Sequence, residues 1–551
     1  MRRNLIHNRE YWVLLILVVI SLVIRTALVA RVDRIVRWDE PDYLILGKHL
    51  FTGEGFTVSG RPELHYAPLF PIATGLLYPL THNMKLNSDI GYVFFGTLLL
   101  LPFYWLARRL FGAPIAVLAT AFLCLYPPLT AGVLFWGTML EPLYLFLLFS
   151  SLCAVWLAWE KNSVRAFLAT GALFGLSYLA KPEAVADFCW MLVLLALANW
   201  WRRSLKRSLP GLLVAVVAFA LVISPYLLFL YRYTGRIMIS GKLGLTYAAG
   251  LGAVEHDPGI YDRAISKLDA AGEEIIWFSP DRFKVSVWNL IKADPRGLMR
   301  RIWQNVNILE SALFVRKVFP FYWLLLVGLG WFGSAWDRER LVKELFLVAA
   351  ALPVFIFLPF HIEVRYFSPM FPILLLWVAK GIVALGDWLQ ETAARLRPGA
   401  DAPRLVLSTR RGNSAVVVTA VLSIAFLAYF TVLQPVVVAD GLADMTPTHR
   451  EAGLWLKAHA SADAMVMSRD TEVPFYAERR WAATPNEEYP VFIAYLRKRG
   501  ADYLVVDERE VQVIRPQLAF LAGEGAPPPE LRHVYTARDP RGDTIVYEVL
   551  Y

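Results

Sequence analysis

Apolar runs of roughly 20 residues recur along the chain, near 11–30, 88–107, 113–133, 138–158, 164–181, 184–201, 209–231, 319–336, 341–360, 366–386 and 413–435. Each is long enough to cross a hydrocarbon core of ~30 Å as a helix. Polar stretches of two kinds separate them. Short linkers carry Lys and Arg, and three long stretches (31–87, 232–318 and 437–551) mix acids, aromatics, Gly and Pro. The pattern predicts a polytopic α-helical membrane protein of about eleven transmembrane helices. Only helices and closed barrels satisfy the backbone in lipid, and runs this long exclude a barrel.

Composition agrees. The 551 residues are 57% hydrophobic and 14% aromatic, with a net charge of +9. Mean hydropathy is +0.47. The positive charge needs no nucleic-acid partner, because much of it lies in linkers where it sets membrane orientation. Arg2, Arg3 and Arg9 precede the first segment. Arg108–Arg109, Glu160–Lys161 with Arg165, Arg202–Arg203 with Lys206–Arg207, and Asp337–Arg338 with Arg340 and Lys343 follow the even-numbered segments. Arg395, Arg397, Arg404 and Arg410–Arg411 follow the tenth. All of these are cytoplasmic at once only if loops 31–87 and 232–318 and the tail are outside. The expected place is a bacterial inner (plasma) membrane, multi-pass, with the N-terminus cytoplasmic. Residues 12–30 lack an A-x-A cleavage pattern behind them and read as an uncleaved first helix. Cys124, Cys153 and Cys189 all fall in apolar segments and read as small buried hydrophobes.

Two expected domains follow: 1–436 in the membrane, and an extracytoplasmic α/β domain over 437–551. In the tail, HREAGLWLKAHA predicts a helix with Thr448 as its cap, and DAMVMSR a strand. VFIAYLRKRGADYLVVDE predicts helix, turn and buried strand, and HVYTARDPRGDTIVYEVLY a hairpin. In 232–318, Phe283, Val287, Leu290 and Ile291 recur at helical spacing, as for a helix along the membrane surface or packed on the domain.

Chemistry concentrates at the expected outer helix ends. Asp39, Glu40 and Asp42 follow the first segment; Glu141 opens the fourth; Lys181 and Glu183 lie in YLAKPEA; His361, Glu363 and Arg365 lie in PFHIEVRYFSPMFP. Ionisable groups at a membrane boundary need water, a partner or a substrate. Several carboxylates with two fixed cations suit an anionic lipid substrate and acid–base chemistry.

The WDE-P-x-Y acidic loop, the later APLFP, the EP turn, the KPE hairpin and the RYFSPMFP helix start occur in this order. Over roughly residues 10–390 this resembles the GT-C superfamily of membrane glycosyltransferases, in particular the branch of protein O-mannosyltransferases and bacterial aminoarabinose transferases of lipid A. The resemblance implies inverting transfer of a sugar from a polyprenyl-phosphate-linked donor to a protein or glycolipid acceptor on the outer face of the membrane. Asp39 matches the first-loop acid such enzymes use as general base or to orient the acceptor, with Glu40 as its neighbour. Glu141 matches the family's second acidic position. Arg365 suits the lipid phosphate, because a guanidinium offers paired donors to its oxygens, and Lys181 is a second candidate. Some members use a divalent metal cation. The aminoarabinose branch has a Glu a few residues before its PPL, where this chain has His65 in HYAPL. Glu63, His65, His256 and His361 lack compact ligand spacing, so metal stays unassigned. The alternative class is a transporter or flippase of a lipid-linked sugar, which would more often show internal repeats. The sequence contains none.

Overall fold

The computed structural model, described over residues 2–284, 286–315, 317–396, 413–523 and 525–551, is mainly helical. Seven helices are long and apolar enough to cross a membrane: Glu10–Arg31, Met84–Phe111, Glu141–Lys161, Ala184–Trp201, Leu205–Thr234, Met370–Thr392 and Ala415–Ala443. Three further expected segments fall on shorter apolar helices, Ala113–Leu125, Val164–Ala180 and Phe321–Phe332. The segment expected at 341–360 is the helix Arg338–Ala351 followed by the 3-10 turn Leu352–Phe357. Proline explains two of the shortenings. Pro127–Pro128 turn the chain after Leu125, and Pro353 and Pro359 break the 341–360 run. One short apolar stretch, Leu69–Thr81, lies within loop 31–87, where the sequence predicted none. Of the basic residues that set the expected orientation, Arg397, Arg404, Arg410 and Arg411 lie outside the described residues, as do the side chains of Arg2, Arg3, Arg9 and Arg395.

Helix contacts rest on small residues, as expected where lipid removes the hydrophobic drive between helices. Gly171 and Gly175 form a G-x-x-x-G stripe on Val164–Ala180, against Ala215, Ala218 and Val222 of Leu205–Thr234. A Cβ at Gly171 would stand 2.0 Å from the Ala215 carbonyl oxygen. Of the cysteines, Cys124 is buried as expected, but Cys153 is half-buried and Cys189 is exposed on the Ala184–Trp201 helix.

The tail carries a five-stranded sheet in the order Arg480–Ala483, Met465–Ser468, Tyr503–Asp507, Thr544–Val549, Leu531–Ala537. Its first two pairings are parallel and its last two antiparallel. The helix expected over 449–460 runs Thr448–His459, the strand expected over 463–469 is Met465–Ser468, the helix and strand expected over 491–508 are Tyr489–Lys498 and Tyr503–Asp507 with Gly500 turning between them at φ +61°, and the C-terminal hairpin is present. Thr448 does not cap its helix. Pro447 holds that position, and the Thr448 hydroxyl is buried without a partner.

The sheet is tied to both mixed stretches. Tyr476 accepts from the Val36 amide at 2.7 Å, and Ser59 donates to the Trp481 carbonyl at 2.5 Å. Asp262 is fully buried between Arg515 and Arg469, at 2.8 and 2.9 Å, and takes a third bond from Asn486. On the 287–293 helix, Leu290 and Trp288 are exposed.

Candidate functional site

The loop after the first span is folded by unusual backbone. Trp38 has φ +58°, and it packs on a facing turn with Gly137 at φ +69° and Met139 at φ +55°. A side chain at Gly137 would meet the Trp38 ring at 2.7 Å. The Glu40 amide donates to the Gly137 carbonyl at 2.9 Å, and Arg37 lies over the Trp38 ring at 4.4 Å. This clamps the start of the helix Glu40–Thr52, so Asp39 sits at its N-terminus, where the helix dipole favours a carboxylate.

Asp39 is half-exposed, and its Oδ2 lies 3.3 Å from Arg365 Nη2. The Tyr66 hydroxyl stands 3.2 Å from both Asp39 Oδ1 and Asp42 Oδ2 and donates to one at a time. Burial, then Glu63 and Asp39, push the Asp42 carboxyl well above the usual range. Arg365 is nearly buried. Its Nε meets Glu363 at 2.6 Å, and Nη1 donates to the Trp136 carbonyl at 3.2 Å. Burial alone would weaken its charge, but Glu363, Tyr366 and Asp39 more than offset that and hold its proton tightly. Burial would raise Glu363 too, yet Arg365 and His361 bring it down to about 2. His361 Nε2 lies 3.2 Å from Glu363 and 2.9 Å from the Tyr366 hydroxyl.

Lys181 is buried, with its ammonium 5.4–5.7 Å from the Tyr144, Phe357 and Tyr366 rings. Burial lowers its pKa, opposed by Glu183 and Glu141. Tyr366 therefore joins Lys181 to the Arg365 cluster. Glu183 lies 3.9 Å from Lys242. Glu141 is buried at the start of its helix and accepts from Thr138 at 2.5 Å.

Two candidates stand elsewhere. Glu40 is fully buried, with Arg34 at 2.7 Å on one oxygen and Ser88 at 2.7 Å on the other. Arg34 also pairs with Asp89 at 2.7 Å. A one-residue step along the chain thus turns Glu40 away from Asp39 and into a buried ion network. His65 stacks on Trp277 at 3.7 Å and is held by Glu63 at 2.8 Å and Arg282 at 3.0 Å. Burial and Arg282 lower it to about 4.

A metal does not fit these groups. A guanidinium occupies the free side of His65, and Arg365 already fills the space between Asp39 and Glu363. His256 is exposed. Sequence reading missed Tyr66, although it stands in the quoted HYAPL. It also missed Glu472, whose Oε1 accepts from the Trp38 amide at 2.8 Å. No local signal pointed to Glu472, because that contact spans almost the whole chain.

A family model described as dolichyl-phosphate-mannose-protein mannosyltransferase matches residues 65–229. No curated protein sequence matches the chain. Among solved structures, ArnT from Cupriavidus metallidurans in the apo state aligns over 98% of this chain and 98% of that one, with a TM-score of 0.54 and 13% identity. The same protein bound to undecaprenyl phosphate aligns over 97% of each chain, at 0.52 and 14%. The apo oligosaccharyltransferase of Archaeoglobus fulgidus aligns over 98% of this chain and 74% of that one, at 0.50 and 14%. At such identities the structural likeness is one of fold. The fold is thus shared with these solved structures, and residues 65–229 carry the pattern of the mannosyltransferase family model.

Proposed function

We propose that this chain carries out inverting transfer of a sugar from a polyprenyl-phosphate donor to an acceptor on the outer face of the membrane, with Asp39 as general base. One observation carries the reading: the half-exposed Asp39 carboxylate meets the Arg365 guanidinium at 3.3 Å, though they come from opposite ends of the membrane region. The acceptor hydroxyl or amine attacks the anomeric carbon while its proton passes to Asp39. The bond from that carbon to the phosphate oxygen breaks, and Arg365 takes up the charge left on the lipid phosphate. Lys181 adds a second cation, held in place by three rings. A donor phosphate competing for Arg365 would loosen its hold on Asp39 and free the base.

In this reading Glu363, His361 and Tyr366 fix Arg365, Glu141 and Glu183 balance Lys181, and Glu40 is a structural acid. The membrane region covers 1–436 and the outer unit 437–551, with the N-terminus inside. Partners are the lipid-linked sugar, a protein or glycolipid acceptor, and membrane lipids.

The test offers a panel of polyprenyl-phosphate sugars and cell-envelope acceptors to the protein in lipid, and follows donor by mass spectrometry. Wild type should consume one donor. Asp39→Asn should slow turnover by about 10²–10⁴-fold with donor binding and folding intact. Equal turnover by Asp39→Asn removes the base from Asp39. Donor binding without turnover would favour carriage of the lipid-linked sugar.

A further inference from the structure

Where the tail meets the first loop, one imidazole and two carboxylates converge. Ligand atoms of His449, Asp470 and Glu472 lie within 4.8 Å of one another, the one such group of three among the described residues. We propose that these three hold a divalent cation of the zinc or manganese kind, tying the C-terminal sheet to the loop that carries Asp39.

The far side of each ligand is already fixed. His449 Nε2 lies 3.0 Å from Asp507 Oδ2. The other Asp507 oxygen accepts from the Arg509 and Glu510 amides at 2.9 and 3.1 Å. A carboxylate holding the outer nitrogen of a metal-bound imidazole is the recurrent way such a ligand is oriented. Glu472 Oε1 is taken by the Trp38 amide at 2.8 Å, and Asp470 Oδ1 by the Glu472 amide at 3.1 Å. His449 Nδ1 and Glu472 Oε2 face each other 2.9 Å apart, and one Asp470 carboxylate oxygen completes the group within 4.8 Å.

Three arginines, Arg37, Arg469 and Arg509, line the same cavity, and each pairs with a carboxylate outside the three, Arg509 with Asp507 at 3.4 Å. Arg469, next in sequence to Asp470, points away to Asp262 and Glu510 at 2.9 and 2.8 Å, and Arg37 points to Asp444 at 3.3 Å. A cation between the three groups would neutralise the carboxylates that crowd the imidazole. The group opens on a cavity of about 410 Å³ that Arg37 and Trp38 also line, which leaves room for waters to complete the coordination. One nitrogen with carboxylate oxygens favours zinc or manganese over magnesium or calcium, which prefer oxygen alone. Because Glu472 also grips the Trp38 amide, the ion would stiffen the turn just before Asp39. The site stands whatever the acceptor and whichever reaction Asp39 serves.

The full chain in lipid nanodiscs, stripped with chelator and then dialysed against Zn²⁺, Mn²⁺ or Mg²⁺, tests this. Wild type should keep one Zn²⁺ or Mn²⁺ and unfold at a higher temperature for it. Asp470→Asn should lose both effects, and Asp507→Asn should weaken binding about 10–100-fold. Pulsed electron paramagnetic resonance of the Mn²⁺-loaded wild type needs no variant and should show one imidazole nitrogen. Any of four results overturns the site: no retained ion, equal retention by Asp470→Asn, coordination by oxygen alone, or a preference for Mg²⁺.

Discussion

Replacing Glu40 by Ala separates the two neighbouring acids of the first loop. Glu40 and Arg34 are each 1% exposed and 2.7 Å apart, with Asp89 as the second anion on Arg34. The substitution leaves a buried guanidinium with half its countercharge and strands the Ser88 hydroxyl that Glu40 accepts from at 2.7 Å. Breaking a buried pair from one side costs about 3–5 kcal/mol, and the lost Ser88 bond adds about 1 kcal/mol. In a chain of this size that corresponds to a fall of roughly 3–5 °C in unfolding midpoint. Glu40→Gln keeps one acceptor oxygen, enough for Arg34 or Ser88 but not both, and should lose about half as much. Combining Arg34→Met, Glu40→Met and Asp89→Asn removes the whole network and should be milder than Glu40→Ala alone, since no uncompensated charge is left buried. The assay is thermal unfolding in detergent beside donor turnover measured well below the midpoint. Turnover per folded molecule should survive. A Glu40→Ala protein with wild-type stability and no turnover would refute the structural reading and make Glu40 part of the chemistry.

Other outcomes can be checked in the same preparations. Arg365→Lys keeps the charge but loses the forked geometry that reaches Glu363, Asp39 and the Trp136 carbonyl; donor KM should rise by about tenfold or more, and an unchanged KM would take the phosphate away from Arg365. For Asp262, burial pushes the carboxyl up, but Arg515 and then Arg469 draw it down to about 2. Its contribution, on the order of 2 kcal/mol, is therefore full above the unfolded value near 4 and lost as pH falls through about 2. The midpoint gap between wild type and Asp262→Asn should be constant above about pH 5 and narrow in acid, and a gap that widens in acid would contradict the ion-pair account. Gly171→Leu forces apart the Val164–Ala180 and Leu205–Thr234 helices, so folded protein recovered by size-exclusion chromatography should fall sharply; normal recovery would show that the stripe is not a close contact.

The sequence by itself determined the class of molecule. Length and apolarity of the runs dictate helices in lipid, because each span satisfies its own backbone. Local patterns sufficed for most tail elements, where alternation, helical spacing and Gly500 act within a few residues. The order of the WDE-P, EP, KPE and RYFSP stretches also marked acids and bases that lie at helix boundaries. Only the tertiary structure decided which of them meet. Asp39 and Glu40 are adjacent in sequence, yet one faces Arg365 and the other Arg34, because Trp38 in a left-handed conformation turns the chain between the span and the next helix. Proline at 127–128, 353 and 359 cut short segments that hydropathy alone had run through. The contacts of Glu472 with Trp38 and of His449 with Asp507 join residues far apart in the chain. Such pairings are set by how the sheet docks on the first loop, and no periodicity or spacing in the sequence records that docking.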